Sequence, residues 1–185
     1  MSDPVALWRR LDQPGHDAVR LIHHAPFWQL SGTAVFGTDA LPCRLEYLVV
    51  CDDAWRTRHA QVLGWIGPRR VRVDLVISPG GEWRMDGIVR PDVAGCLDLD
   101  LAFSPATNTL PVRRLSLSVG EKADVCAAWL QFPSLTLSPL PQTYHRLAER
   151  VYRYTADAGA FVADLELDAA GLVIRYPGLW EREPA

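Results

Sequence analysis

Apolar and polar residues alternate along much of the chain. In Val71-Arg72-Val73-Asp74-Leu75 the odd positions are apolar and the even ones charged. The same pattern recurs in Leu97-Asp98-Leu99-Asp100-Leu101, in Leu115-Ser116-Leu117-Ser118-Val119 and from Phe161 to Asp168. Alternation of this length puts every second side chain on one face, which is the signature of a half-buried strand. The intervening segments are short and rich in Gly, Pro and Asp: Ser78-Pro79-Gly80-Gly81, Val119-Gly120-Glu121-Lys122 and Asp168-Ala169-Ala170-Gly171. Such segments read as hairpin connections. Roughly a dozen strands at this spacing predict an all-β sheet or barrel. Helical signal is sparse. Asp3-Pro4 and Ser104-Pro105 could each cap and open a helical turn. Gln142–Val151 carries a helix-like face, but the aromatic and β-branched run Val151–Thr155 favours a strand there.

A weak internal repeat overlays this pattern. Tyr47, followed by Trp55-Arg56, matches Tyr144, followed by Tyr152-Arg153. Val73–Gly81 matches Ala163–Gly171, each an alternating strand running into a glycine turn. The expectation is a single domain over 1–185 in which segments of about 45–87 and 142–178 are duplicated. The same matches could also be generic hairpins.

Composition narrows the function classes. A chain of 185 residues with 49% hydrophobic and 22% charged residues can bury a real core. A net charge of -3 offers no electrostatic footprint for nucleic acid. Cys43, Cys51, Cys96 and Cys126 fit no zinc spacing and read as reduced, mostly buried thiols. The opening MSDPVALWRR lacks the basic and apolar regions of a signal peptide. Leu21–Thr38 and Val125–His145 lack formal charge, yet proline and polar residues interrupt both, so neither reads as a membrane span. A soluble, cytoplasmic protein is expected.

No phosphate-binding glycine loop, nucleophile elbow or HExxH is present. His23 and His24 are adjacent, so on a strand they face opposite sides, and no metal or cofactor is expected. Asp98 and Asp100 share one face of their strand. Of the adjacent Arg113 and Arg114 only one can share that face, so an Arg–Asp pair across strands is expected. That pair is either a register-fixing ion pair or part of a polar patch that holds a headgroup. The side chains of Asn108 and Thr109 can close a turn before Pro111. Seven tryptophans, with Tyr47, Tyr144, Tyr152, Tyr154 and Tyr176, either fill a core or line a groove suited to an amphiphile.

At these residues the chain resembles a bacterial family named for putative glycolipid binding, formerly a domain of unknown function. The resemblance rests on Gly95–Leu101, Thr107–Leu115, Cys51–Arg58, Gly171-Leu172-Val173 and Tyr176–Leu179, and it covers roughly 15 to 180. Asp17 stands where the family pattern leads one to expect Glu. The resemblance implies a duplicated antiparallel half-barrel similar in shape to bacterial lipoprotein carriers that hold acyl chains in a concave sheet, and it brings no catalytic residues. The resulting expectation is a small amphiphilic ligand, a lipid or glycolipid, in an aromatic-lined groove. Trp55, Tyr144, Tyr152 and Tyr154 would line it, and Arg58, Asp98, Asp100, Arg113 and Arg114 would hydrogen-bond the polar end. Two rivals stand beside it. One is a small hydrolase or isomerase using Asp98, Asp100 or His59 in a cleft. The other is a module that pairs through an exposed strand edge. Monomer and dimer are both compatible with the sequence.

Overall fold

Strands dominate the structure, a computed structural model that describes residues 3–38 and 41–184. Met1, Ser2 and Ala185, at the ends of the expected 1–185 domain, lie outside the described residues. The first strands are β1 (Val5–Arg10), β2 (Gly15–His24), β3 (Phe27–Thr38), β4 (Leu41–Cys51) and β5 (Thr57–Ile66). They are followed by β6 (Arg69–Ile77), β7 (Trp83–Met85), β8 (Ile88–Val89), β9 (Asp98–Leu101) and β10 (Lys122–Leu130). The last are β11 (Leu137–Ala148), β12 (Val151–Ala156), β13 (Phe161–Leu167), β14 (Val173–Tyr176) and β15 (Trp180–Arg182). All fifteen belong to one sheet, ordered β8 down to β1 and then β15 down to β9. The strands β1 to β8 and β10 to β15 thus each form a meander of successive neighbours, with β9 added at the end of the second. The seam between them is the pairing of the chain's two end strands, with Trp8 opposite Arg182 and Arg10 opposite Trp180.

The sheet curves but does not close into a barrel. Its edges, β8 and β9, are not paired with each other. The segment joining them is held by other bonds. Thr57 N–H donates to Leu97 O at 2.9 Å. Leu99 N–H donates to Thr57 Oγ1 at 3.1 Å, and Trp83 Nε1 donates to Cys96 O at 3.0 Å. The predicted alternation sets the inner face. Cys43, Leu45, Tyr47, Val49 and Cys51 of β4 are buried, as are Val71, Val73, Leu75 and Ile77 of β6 and Ala163, Leu165 and Leu167 of β13. Each larger aliphatic side chain so buried contributes about 1.5–3 kcal/mol.

One departure from the antiparallel expectation has a topological cause. β9 and β10 run parallel. Parallel neighbours need a crossover of a dozen or more residues, usually with a helix. Here the crossover folds into the concave face as a plug. It contains a 3₁₀ turn, Pro105–Asn108, and one short helix, α1 (Thr109–Leu115). Every residue from Phe103 to Val112 is buried.

Three local readings of the sequence are corrected. Ser104-Pro105 opens the plug as expected, with Ser104 Oγ accepting Ala106 N–H at 3.1 Å, but Asp3-Pro4 opens no helical turn. Its chain is extended toward β1, and Pro4 O accepts Leu21 N–H at 2.9 Å. Asn108 and Thr109 close no turn on their own backbone. They lie in the helical plug, where Asn108 Nδ2 donates to Tyr144 Oη at 3.0 Å and Thr109 Oγ1 to Gly171 O at 3.0 Å. Leu115–Val119 is not a strand. Leu115 ends α1, and Ser116 at φ 46° takes the left-handed conformation that stops a helix.

Candidate functional site

Filling the concave face with the plug leaves a cavity at each of its ends. Along β12 and β13 the two cavities lie at opposite ends of the same strands. The start of the plug (Ser104, Pro105, Asn108) faces one cavity and its end (Val112, Arg113, Ser116) faces the other.

The first cavity holds about 280 Å³. Its wall is aromatic and aliphatic: Trp129, Tyr154, Phe161, Tyr176 and Trp180, with Leu140 and Leu179. The rings brace one another. Tyr154 packs edge-on to Phe161 at 5.9 Å and to Tyr176 at 6.2 Å, and tilts against Tyr144 at 5.2 Å. Into this wall β9 delivers Asp100, half-buried. Asp100 Oδ2 accepts Gln142 Nε2 at 2.6 Å, while Oδ1 accepts no bond among the described residues. Burial pushes its carboxyl up to about 6, the nearby Asp98 adds to the rise, and Gln142 opposes it. Burial and the Asp100 charge also raise the hydroxyl pKa of Tyr154, and of Tyr176 in the same way, so both stay protonated donors.

Behind this cavity lies a closed polar cluster. Asp17, fully buried on β2, accepts from Tyr47 Oη at 3.1 Å and from Ser104 Oγ. Desolvation drives its carboxyl up to about 7, against those two bonds and the Arg10 charge. Among the described residues no buried side-chain nitrogen or oxygen lacks a partner.

The second cavity, of about 420 Å³, is polar and cationic. Arg113, Arg146 and Arg150 contribute to it, with Trp55, Tyr152, Glu149 and Asp168.

The residues expected to form one site therefore fall into three groups. Asp100 and Tyr154 line the aromatic cavity, and Tyr144 supports it from behind through its bond with Asn108. Trp55, Arg113 and Tyr152 line the cationic cavity. Asp98, Arg114 and Arg58 do neither. Arg114 grips Asp98 with two bonds, Nε to Oδ1 at 2.9 Å and Nη2 to Oδ2 at 2.6 Å, fastening α1 to β9. Arg58 sits on Asp52 at 2.7 Å, inside the β4–β5 connection that Asp52 also caps. The paired carboxylates are thus separated in role, since only Asp100 reaches a cavity.

Sequence reasoning missed Trp129, Phe161, Trp180 and Asn108 as cavity walls, and Gln142 as the partner of Asp100. The signal for the rings was their number, not their position. Trp8 and Trp83, by contrast, are fully buried and line neither cavity, so part of the aromatic set serves the core.

Among the described residues no helix is long and apolar enough to cross a membrane. A search of curated proteins finds no match. Among solved structures the chain is similar to a DUF1089 family protein from Pseudomonas aeruginosa. The two are 33% identical, with a TM-score of 0.81 over 90% of this chain and 92% of that one. A family model described as "Putative glycolipid-binding" matches residues 5–182. Nearly the whole sheet and its plug lie within that match, and the chain belongs to this family.

Proposed function

We propose that the chain binds an amphiphile by its polar, sugar-like end in the aromatic cavity, with the remainder of the molecule outside. The observation that carries this reading is Asp100, a carboxylate with one free oxygen set into a wall of aromatic rings. Aromatic faces suit the apolar face of a sugar ring, and a carboxylate accepts from its hydroxyls. Size supports a headgroup over an acyl chain. Ligand cavities usually span roughly 300–1,000 Å³, and this one lies at the lower edge. The concave face that would hold an acyl chain is filled by Phe103–Val112. Binding also fits better than hydrolysis by paired carboxylates, because Arg114 occupies Asp98.

The test is native mass spectrometry of purified protein, followed by organic extraction and calorimetric titration with the extracted or purchased glycolipids. A bound glycolipid is expected, with Asp100→Asn weakening it roughly tenfold to a hundredfold, the range for one hydrogen bond to a charged group. Absence of any bound or titratable glycolipid, or an Asp100→Asn variant with unchanged affinity, counts against the reading.

A further inference from the structure

We propose that the cationic cavity at the far end of the plug is a second binding site, which takes a phosphate group on Arg113. The argument begins with how Arg113 is held. His23 stacks on Trp28 at 4.1 Å, and Trp28 stacks on Trp55 at 4.5 Å, both nearly parallel. The Arg113 guanidinium lies 5.0 Å from the Trp55 ring centre and 6.0 Å from that of Trp28. A guanidinium on a tryptophan face is held by cation–π attraction and loses little freedom when it binds. On its other side the stem meets Gly171. A Cβ there would come within 3.2 Å of Arg113 Cδ, and Gly171 at φ +88° has a backbone that also favours glycine. Arg113 is therefore a planar fork clamped between a tryptophan ladder and the turn from β13 to β14.

What the fork lacks is an acceptor. Arg113 is exposed to the cavity, and among the described residues it has no hydrogen bond and no carboxylate partner. The other charges of the cavity are largely committed. Asp168 Oδ1 accepts Ala170 and Leu172 N–H, and Oδ2 accepts Arg182 Nη1 at 2.6 Å. Arg146 donates to the carbonyls of Leu117 and Glu149 and lies over Tyr152. Glu149 and Arg150 are exposed and sit 3.8 Å from each other. The local balance is positive, with one rigid, unpaired guanidinium at its centre. Arg forks match the oxygens of a phosphate, and 420 Å³ leaves room for a glycerol or ring beyond it. The phosphate could belong to a free small molecule or to a lipid headgroup. This site shares no lining residue with the aromatic cavity and stands or falls independently of it.

The test uses the full chain and three probes: inorganic phosphate, sn-glycerol 3-phosphate, and vesicles of phosphatidylglycerol in phosphatidylcholine against phosphatidylcholine alone. Calorimetry reads the soluble probes and co-sedimentation reads the vesicles. Saturable binding is expected, weakened roughly tenfold to a hundredfold by Arg113→Met. Arg113→Lys, which keeps the charge and loses the fork, should fall between. It also serves as the readout if thermal melts show that Arg113→Met does not fold. Arg72→Gln, an exposed change on β6, should bind as the unaltered chain does. Binding of the soluble phosphates assigns the site to a free metabolite, and binding of the anionic vesicles alone assigns it to a lipid headgroup. Absence of binding to all three probes overturns the proposal. So does unchanged affinity in the Arg113 variants, or an equal loss in Arg72→Gln.

Discussion

Asp17 is the residue at which the fold departs furthest from ordinary burial. It occupies an inward position of β2, beside Val19 and Leu21, where alternation calls for an apolar side chain. Tyr47 and Ser104 satisfy its oxygens, but removal from water dominates, and the carboxyl titrates near 7 where a free aspartate titrates near 3.8. The sign of the resulting pH dependence follows from linkage. Below about pH 4 both folded and unfolded chains carry the proton. Between that point and about 7 the unfolded chain releases a proton that the folded chain retains, so stability falls as pH rises through this window and then levels. Asp98 and Asp100 are shifted in the same direction. Urea midpoints across pH 4 to 8 should therefore decline with pH, and Asp17→Asn should flatten most, though not all, of that decline. An unchanged slope in the variant would show that Asp17 ionises freely in the folded state. The sequence marked Asp17 only as a departure from the family pattern, and nothing local revealed its place inside β2 or its partners, which come from β4 and from the plug.

At the scale of elements, the plug decides where sites can form, and it is the part of the fold least legible in the sequence. The strands were readable because alternation is a local property. The parallel β9–β10 pair and its crossover were not, because Leu115-Ser116-Leu117-Ser118-Val119 alternates as a strand does while Ser116 in fact terminates α1. The Arg–Asp pair was anticipated, but between two strands. It forms instead between a helix and a strand. Adjacent helical side chains point about 100° apart, so Arg114 turns to Asp98 while Arg113 turns to Trp55. Asp98 is almost fully buried and Arg114 largely so, with side-chain exposures of 1% and 15%. Arg114→Met should then cost about 3–5 kcal/mol in chemical denaturation, because it leaves a buried carboxylate without its counter-charge. The double change with Asp98→Asn should recover part of that loss. If the single and double variants prove equally unstable, the pair's contribution is packing and not charge.

At the scale of the whole molecule, two meanders are joined by one narrow seam and one shared plug. The seam is the β1–β15 pairing, and Trp8 anchors it. Its ring is fully buried, and Nε1 donates to Val173 O at 2.6 Å, reaching past β15 to β14. The plug supplies the second link. Ser104 bonds to Asp17 and Tyr47 of the first meander, and Asn108 bonds to Tyr144 of the second. Tyr47 and Tyr144 both direct their hydroxyls to the plug, to Ser104 and Asn108. Two halves joined in this way can unfold separately or as one unit. The distinction has consequences for binding, because Trp180 of the seam strand is also a wall of the aromatic cavity. Trp8→Phe keeps most of the ring and removes the donor, leaving the Val173 carbonyl unpaired at a cost of about 1–3 kcal/mol. At roughly 2–4 °C per kcal/mol for a chain of this length, calorimetry should show a melting point several degrees lower. Because the plug ties both meanders, the expected trace keeps a single transition. Two resolved transitions in Trp8→Phe would mean that the seam alone couples the halves and that the plug belongs energetically to one of them.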